Sequence, residues 1–244
     1  MLHPQIAAIN PHLIIFDKDG TLIDFHAMWG GWITGLAQRL EAAANRPLAA
    51  HLFRAVAYDA VTGRIDPAGH LALTPVAGIR AVISEALQAA GLSPDFAEAT
   101  LQANWLLPDA ITLAQPITDL AELFNSLQKL GLKIAIATSD DRAPTESMLI
   151  KLGVIHLVDA LICADDGLPL KPAPDMVLAV GRRLNVSPVK SVMVGDNTVD
   201  LQMGRAAGVG LAVGVLSGLA SAEALSQYAD ILLPSVADLI EMQN

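Results

Sequence analysis

The chain has 244 residues, 53% of them hydrophobic and 16% charged, which is enough apolar material for one large domain or two small ones and argues against disorder. Its formal net charge of -10 disfavours a nucleic-acid partner, since a phosphate backbone rewards cationic surfaces. The single cysteine, Cys163, excludes an internal disulfide or a cysteine-built zinc site, and its apolar neighbours make it a buried small hydrophobe.

The first predicted element is the apolar run Leu13 to Phe16, read as a strand covered on both faces. It runs into Asp17-Lys18-Asp19-Gly20-Thr21-Leu22. Alternation along a strand predicts that Asp17 and Asp19 point the same way, as two carboxylates that need a cation or a proton to coexist, with Lys18 on the opposite side. Gly20 and Thr21 suit a tight turn whose backbone N–H groups face a ligand. Residues 25–112 are alanine-rich and helical in pattern: Trp32, Ile33, Leu36, Ala37 and Leu40 follow helical spacing, Ala81 to Ala90 does so again before Gly91, and Pro94 opens a further helix with Ser93 as its N-cap.

From about Thr118 the pattern alternates between helix and strand. Helices are predicted at 119–130, 144–152, 175–184 and 200–207, and strands at 133–137, 160–163, 191–194 and 210–215. This alternation implies an α/β fold, a Rossmann-like parallel sheet with helices on both faces. The expected domains are an α/β core of residues 1–24 and 113–244 and an inserted α-helical cap at 25–112, a natural lid beside an active edge. The start of the chain carries no basic segment leading into an apolar core. The longest uncharged span, Ala206 to Ala222, is interrupted by Gly208, Gly210, Gly214 and Gly218. Neither a secretory signal nor a membrane partner is therefore expected, and the expected location is cytoplasmic.

Ligands bind beyond the carboxyl ends of such strands, and the chemically suggestive residues fall there. Asp17 and Asp19 follow the first strand; Thr138, Ser139 and Asp140 follow the second; Lys171 lies in a later loop before Pro172; Asp196 and Asp200 follow Ser191 to Val194. This set fits phosphoryl transfer, in which catalysis is mostly positioning plus positive charge. Asp17 and Asp196 would hold Mg²⁺, Thr138 and Lys171 would bind phosphoryl oxygens, and Asp19 would move protons. Asp140 and Asp141 read as turn or capping residues, Asp200 taken alone as a helix N-cap, and Asp165-Asp166-Gly167 as a turn.

The six residues from Asp17 to Leu22, Thr138 after its strand, Lys171 before Pro172, and Gly195-Asp196 with Asp200 together resemble, in order, the four motifs of the haloacid dehalogenase (HAD) superfamily. The helical block resembles the cap of the phosphoglycolate-phosphatase-like branch. The resemblance implies an Mg²⁺-dependent hydrolase of a small phosphomonoester, phosphoglycolate or similar, working through an aspartyl-phosphate. It implies Asp17 as nucleophile and Asp19 as general acid/base, whose backbone carbonyl also ligates the metal. Thr138, Ser139 and Lys171 would be phosphate-binding, Asp196 a direct metal ligand and Asp200 an outer-shell group. The partner is then a small phosphorylated metabolite, with the oligomeric state left open.

Within the superfamily, Asp19 argues against a haloalkanoic acid dehalogenase. The absence of lysine between Phe25 and Gln128 argues against a phosphonatase that forms a Schiff base. A phosphomutase keeps all four motifs and stands as the alternative; a non-catalytic scaffold is a further one. In the cap, Arg64 lies in a turn-rich segment and could bind a substrate carboxylate or second phosphate. Trp29, Trp32 and Trp105 read as cap core.

Overall fold

The computed structural model describes residues 1–74, 76–106 and 110–240. The chain divides into two compact units, one of Met1–Asp24 with Ala114–Asn244 and one of Phe25–Leu113. Among the described residues, no helix is long and apolar enough to cross a membrane.

The strands in chain order are β1 (Leu13–Phe16), β2 (Tyr58–Asp59), β3 (Arg64–Ile65), β4 (Lys133–Ala137), β5 (Ala160–Ile162), β6 (Ser191–Gly195), β7 (Leu211–Val215) and β8 (Ile231–Leu233). β2 and β3 form an antiparallel pair in the helical unit. The other six make one sheet in the order β5-β4-β1-β6-β7-β8, every pair parallel. Counting only these six, the order is 3-2-1-4-5-6, a doubly wound sheet whose direction of growth reverses between β1 and β6. The residues that follow β1 and β6 therefore flank the crevice of the fold.

Both faces of β1 are covered, which is why its four residues are all apolar and all buried. Leu13 and Ile15 pack with Ala135, Ala137, Met176, Val177 and Val180 on one side. On the other face the rings of Phe16 and Phe124 stand 5.6 Å apart. The helix Leu120–Lys129 starts at Asp119, whose carboxylate accepts from the Glu122 N–H.

Several boundaries differ from the pattern reading. The helix read at 144–152 is Arg142–Lys151. Pro144 falls in its first turn, where a missing N–H leaves no bond unmade. The helix read from Asp200 is Thr198–Ala207. The short strand β8 and the β2–β3 pair lie in segments too short for an alternating signal.

In the helical unit, Trp32, Ile33, Leu36, Ala37 and Leu40 are buried along the helix Phe25–Ala44. Trp32 stands edge-on between Trp29 at 5.6 Å and Trp105 at 5.5 Å, so the tryptophans pack against one another. Ser93 sits at the N-cap position of Pro94–Asn104 without a side-chain cap bond.

Candidate active site

Asp17 extends β1 by one ladder bond, its N–H donating to the Val194 carbonyl of β6 at 2.9 Å. The chain then turns on itself. The Lys18 carbonyl accepts from the N–H groups of Thr21, Leu22 and Ile23, and Gly20 adopts φ +86°. A β-carbon on Gly20 would lie 2.4 Å from Asp196 Oδ2, so this turn can pass Asp196 only as glycine.

Asp196 follows β6, the strand beside β1. It is buried, with Oδ1 accepting from Thr21 Oγ1 at 3.1 Å and Oδ2 from the Leu219 N–H at 3.0 Å. Asn197 caps the helix Thr198–Ala207, and Asp200 completes the capping box by accepting from the Asn197 N–H at 3.0 Å. Asp200 is therefore not the N-cap that its isolated sequence position suggests but the partner of the cap. Its second oxygen, Oδ1, accepts from Lys171 Nζ at 2.7 Å, and Lys171 also pairs with Asp17.

One oxygen from each of Asp17, Asp196 and Asp200 can be chosen so that all three lie within 4.8 Å of one another. Three carboxylates and the Lys171 ammonium, all ionised, leave a formal charge of minus two, which one divalent cation neutralises. Hard carboxylate oxygens are the donors that Mg²⁺ takes, so these residues fit that ion. The electrostatics agree. Burial, followed by the charges of Asp17 and Asp200, holds the Asp196 carboxyl well above the usual carboxylate range. Burial, then Asp17, pushes Asp200 up to about 6. Burial would lower Lys171, yet Asp17 and Asp200 hold it above the usual lysine range.

Asp19 and Lys18 depart from the alternation argument. The two carboxylates pair with different lysines, Lys171 with Asp17 and Lys18 with Asp19. Lys18, expected on the opposite side of the strand from its neighbours, is 1% exposed and pairs with one of them, bridging Asp19 and Asp140 Oδ2, the latter at 2.8 Å. Asp140 is thus an ion-pair partner rather than a capping residue. Asp141 occupies the N-cap position of Arg142–Lys151 with no side-chain cap bond. Burial pushes Asp19 up to about 6 against the pull of Lys18.

Thr138 follows β4 and is buried, its N–H donating to Ile162 O and its hydroxyl accepting from the Asp140 N–H at 3.1 Å. Ser139 beside it is exposed. Arg64 is exposed on β3, with the next residue, Ile65, donating its N–H to His26 Nδ1 at 3.1 Å. Cys163 is buried, and burial pushes its thiol up to about 11. Asp165 and Asp166 form a short 3₁₀ turn closed by Gly167 in the left-handed region, and Asp166 pairs with Arg142.

The pattern reading misses the loop after β7. Ser217 Oγ donates to the Gly20 carbonyl at 2.7 Å, and Leu219 binds Asp196. The only sequence signal there is a serine and a glycine just beyond a buried strand.

A haloacid dehalogenase-like hydrolase family model matches residues 11–208. The chain belongs to the haloacid dehalogenase-like hydrolases. It is 32% identical over 232 residues to validoxylamine A 7'-phosphate phosphatase of Streptomyces hygroscopicus subsp. limoneus, covering 92% of this chain and 94% of that one. It is 30% identical over 121 residues to the phosphoglycolate phosphatase of Escherichia coli strain K12, about half of each chain (49% and 48%). A crystal structure from Thermotoga maritima, assigned as a β-phosphoglucomutase, superposes with a TM-score of 0.68 at 21% identity, covering 93% of this chain and 96% of that one. At that identity the likeness speaks for the HAD fold alone. The two relatives compared by sequence are both named as phosphatases.

Proposed function

We propose that this HAD phosphatase is Mg²⁺-dependent and hydrolyses a small, polar phosphomonoester through an aspartyl-phosphate on Asp17. The observation that carries the reading is the buried trio Asp17, Asp196 and Asp200 held against Lys171. Asp17, Asp196 and the Asp19 backbone carbonyl would be the direct metal ligands. Both Asp200 oxygens are engaged by protein donors, which suits an outer-shell role holding Lys171. A bound Mg²⁺ would act as a Lewis acid on the phosphoryl oxygens and offset their charge.

The chain's own residues do the rest. Lys171 has three N–H donors; two serve Asp17 and Asp200, and the third is available to a phosphoryl oxygen, beside the Thr138 hydroxyl and the Ser139 N–H. The Asp17 carboxylate attacks phosphorus as the bond to the leaving oxygen breaks, and Asp19 gives that oxygen its proton. Water then attacks the phosphorus of the aspartyl-phosphate, returning a proton to Asp19 and releasing Asp17 and inorganic phosphate.

For the substrate, phosphoglycolate is one arm, supported by an alignment covering half of the chain. An ester like validoxylamine A 7'-phosphate is favoured, because the relative named for that compound aligns over 92% of this chain and so includes most of the helical unit. We take that unit, with Arg64, as the bearer of selectivity. The test is a panel of acidic, sugar and cyclitol phosphates assayed with Mg²⁺ and with chelator. Metal-dependent turnover, with the highest kcat/KM on a sugar or cyclitol phosphate, is expected; no turnover of any member would sink the reading.

A further inference from the structure

We infer that Lys18 and Asp140 are positioning residues for Asp19, forming a strap around a buried lysine that aims the proton-transferring carboxylate at the leaving oxygen. The inference rests on the phosphatase reading above and adds two residues that the four motifs leave without a role.

The first observation is burial. Lys18 is 1% exposed, and an ammonium carried out of water is retained only when anions and hydrogen bonds surround it. Removing it for an apolar side chain would fill the same space without that cost, so its presence calls for a task. Its backbone carbonyl already anchors the turn by accepting from Thr21, Leu22 and Ile23, a job any residue could do. The side chain is therefore the specific part.

The second observation is what the side chain touches. Nζ donates to Asp19 Oδ1 and to Asp140 Oδ2. Grip on Oδ1 sets the rotation of the Asp19 carboxylate and leaves Oδ2 as the atom for proton transfer. Asp140 is itself fixed at two backbone points. Its N–H donates to Thr138 Oγ1 at 3.1 Å and its carbonyl accepts from the Ala164 N–H at 2.9 Å. A continuous chain thus runs from Thr138 through Asp140 and Lys18 to Asp19. It ties the phosphoryl-holding end of β4 to the proton-transferring turn after β1. Misplacing a reacting group by about 1 Å can cost on the order of 100-fold in rate, which is the scale at which such a strap matters.

The consequence depends on the leaving group. A nitrophenolate departs without a proton, whereas an alkoxide needs one. kcat/KM reports events up to the first irreversible step, here formation of the aspartyl-phosphate with loss of the leaving group. A defect in aiming Asp19 should therefore grow as the leaving group becomes more basic.

The experiment compares the wild-type chain with Lys18→Met, Asp140→Asn and, as the limiting case, Asp19→Asn, on p-nitrophenyl, phenyl and simple alkyl phosphates with saturating Mg²⁺. For Lys18→Met, kcat/KM on the alkyl ester should fall about 100-fold, and on p-nitrophenyl phosphate less than about 5-fold. Asp140→Asn, whose side chain is 47% exposed, should keep the fold and show the same slope at about 5- to 10-fold. Equal losses across the series, or no loss, in a variant with wild-type circular dichroism would overturn the strap. If Lys18→Met does not fold, the slope of Asp140→Asn decides, and a flat response there rejects the inference. A wild-type chain inactive on every ester would instead refute the phosphatase reading itself.

Discussion

Gly218 stands where a β-carbon would lie 1.8 Å from Asp196 Oδ2 and 2.5 Å from Asp196 Cβ. The carboxylate could rotate away from an added methyl, but its Cβ is fixed by the backbone after β6. The neighbouring Leu219 N–H holds the same Oδ2 at 3.0 Å. The β7 loop therefore presents bare backbone to Asp196 and sets its direction.

Gly218→Ala should displace Asp196 and weaken metal activation. Loss of support behind a ligand typically costs about 10- to 100-fold in affinity or activity. A titration of turnover with Mg²⁺ should show the half-activating concentration raised by at least about 10-fold. An unchanged titration would separate this glycine from the metal.

Asp17→Asn should abolish turnover by at least about 1,000-fold, because a neutral amide is a poor nucleophile. The fold should survive. The change removes one of three mutually repelling carboxylates, and Lys171 keeps Asp200 as a partner. A thermal midpoint close to wild type in chelator, together with lost activity, is the expected pair of results. Retained turnover would exclude Asp17 as the attacking group.

Stability of the metal-free protein should fall as pH rises from about 4 to about 6. Burial raises Asp19 and Asp200 from 3.8 to about 6 in the fold. Between those values the native state holds protons that the unfolded chain has released, so each step up in pH favours unfolding. Asp166 does not enter this window: burial pushes it up, but the hydrogen bond from Arg142 brings it below 3.8. Thermal midpoints in chelator should be lower at pH 7 than at pH 5. Added Mg²⁺ should raise the pH 7 value more than the pH 5 value, since the cation binds the ionised trio. A metal-free midpoint that rises across this range would contradict the cluster's electrostatics.

Arg64→Ala should raise KM for a substrate with a second anionic group, such as phosphoglycolate, by roughly 3- to 10-fold, the scale of one partly exposed charge-assisted bond. KM for a sugar phosphate with no second anionic group should stay at the wild-type value. Equal KM changes on both, or none on either, would remove Arg64 from substrate selection.

The alternation of helix and strand from Thr118 onward is legible because each element carries its own period and its own terminators. Lys133–Ala137 and Asp175–Leu184 have the bounds that the pattern predicts. The strand-end positions of Asp17, Thr138 and Asp196 are legible for the same local reason. The pairings of Asp200 and Asp140 are not, because their partners come from other loops. Asp200 meets Lys171 from the loop after β5, and Asp140 meets Lys18 across the β1–β4 boundary.

A parallel α/β sheet with carboxylates, a hydroxyl and a lysine after its strands can be read from residues 10–215 alone, since turn chemistry and periodicity are local properties. Which charge faces which follows from the packing of the strands. The order β5-β4-β1-β6 brings four loops, remote in sequence, to one edge. There the energy of burying an ion depends on its neighbours in space: Lys171 goes to Asp17 and Asp200, and Lys18 to Asp19 and Asp140.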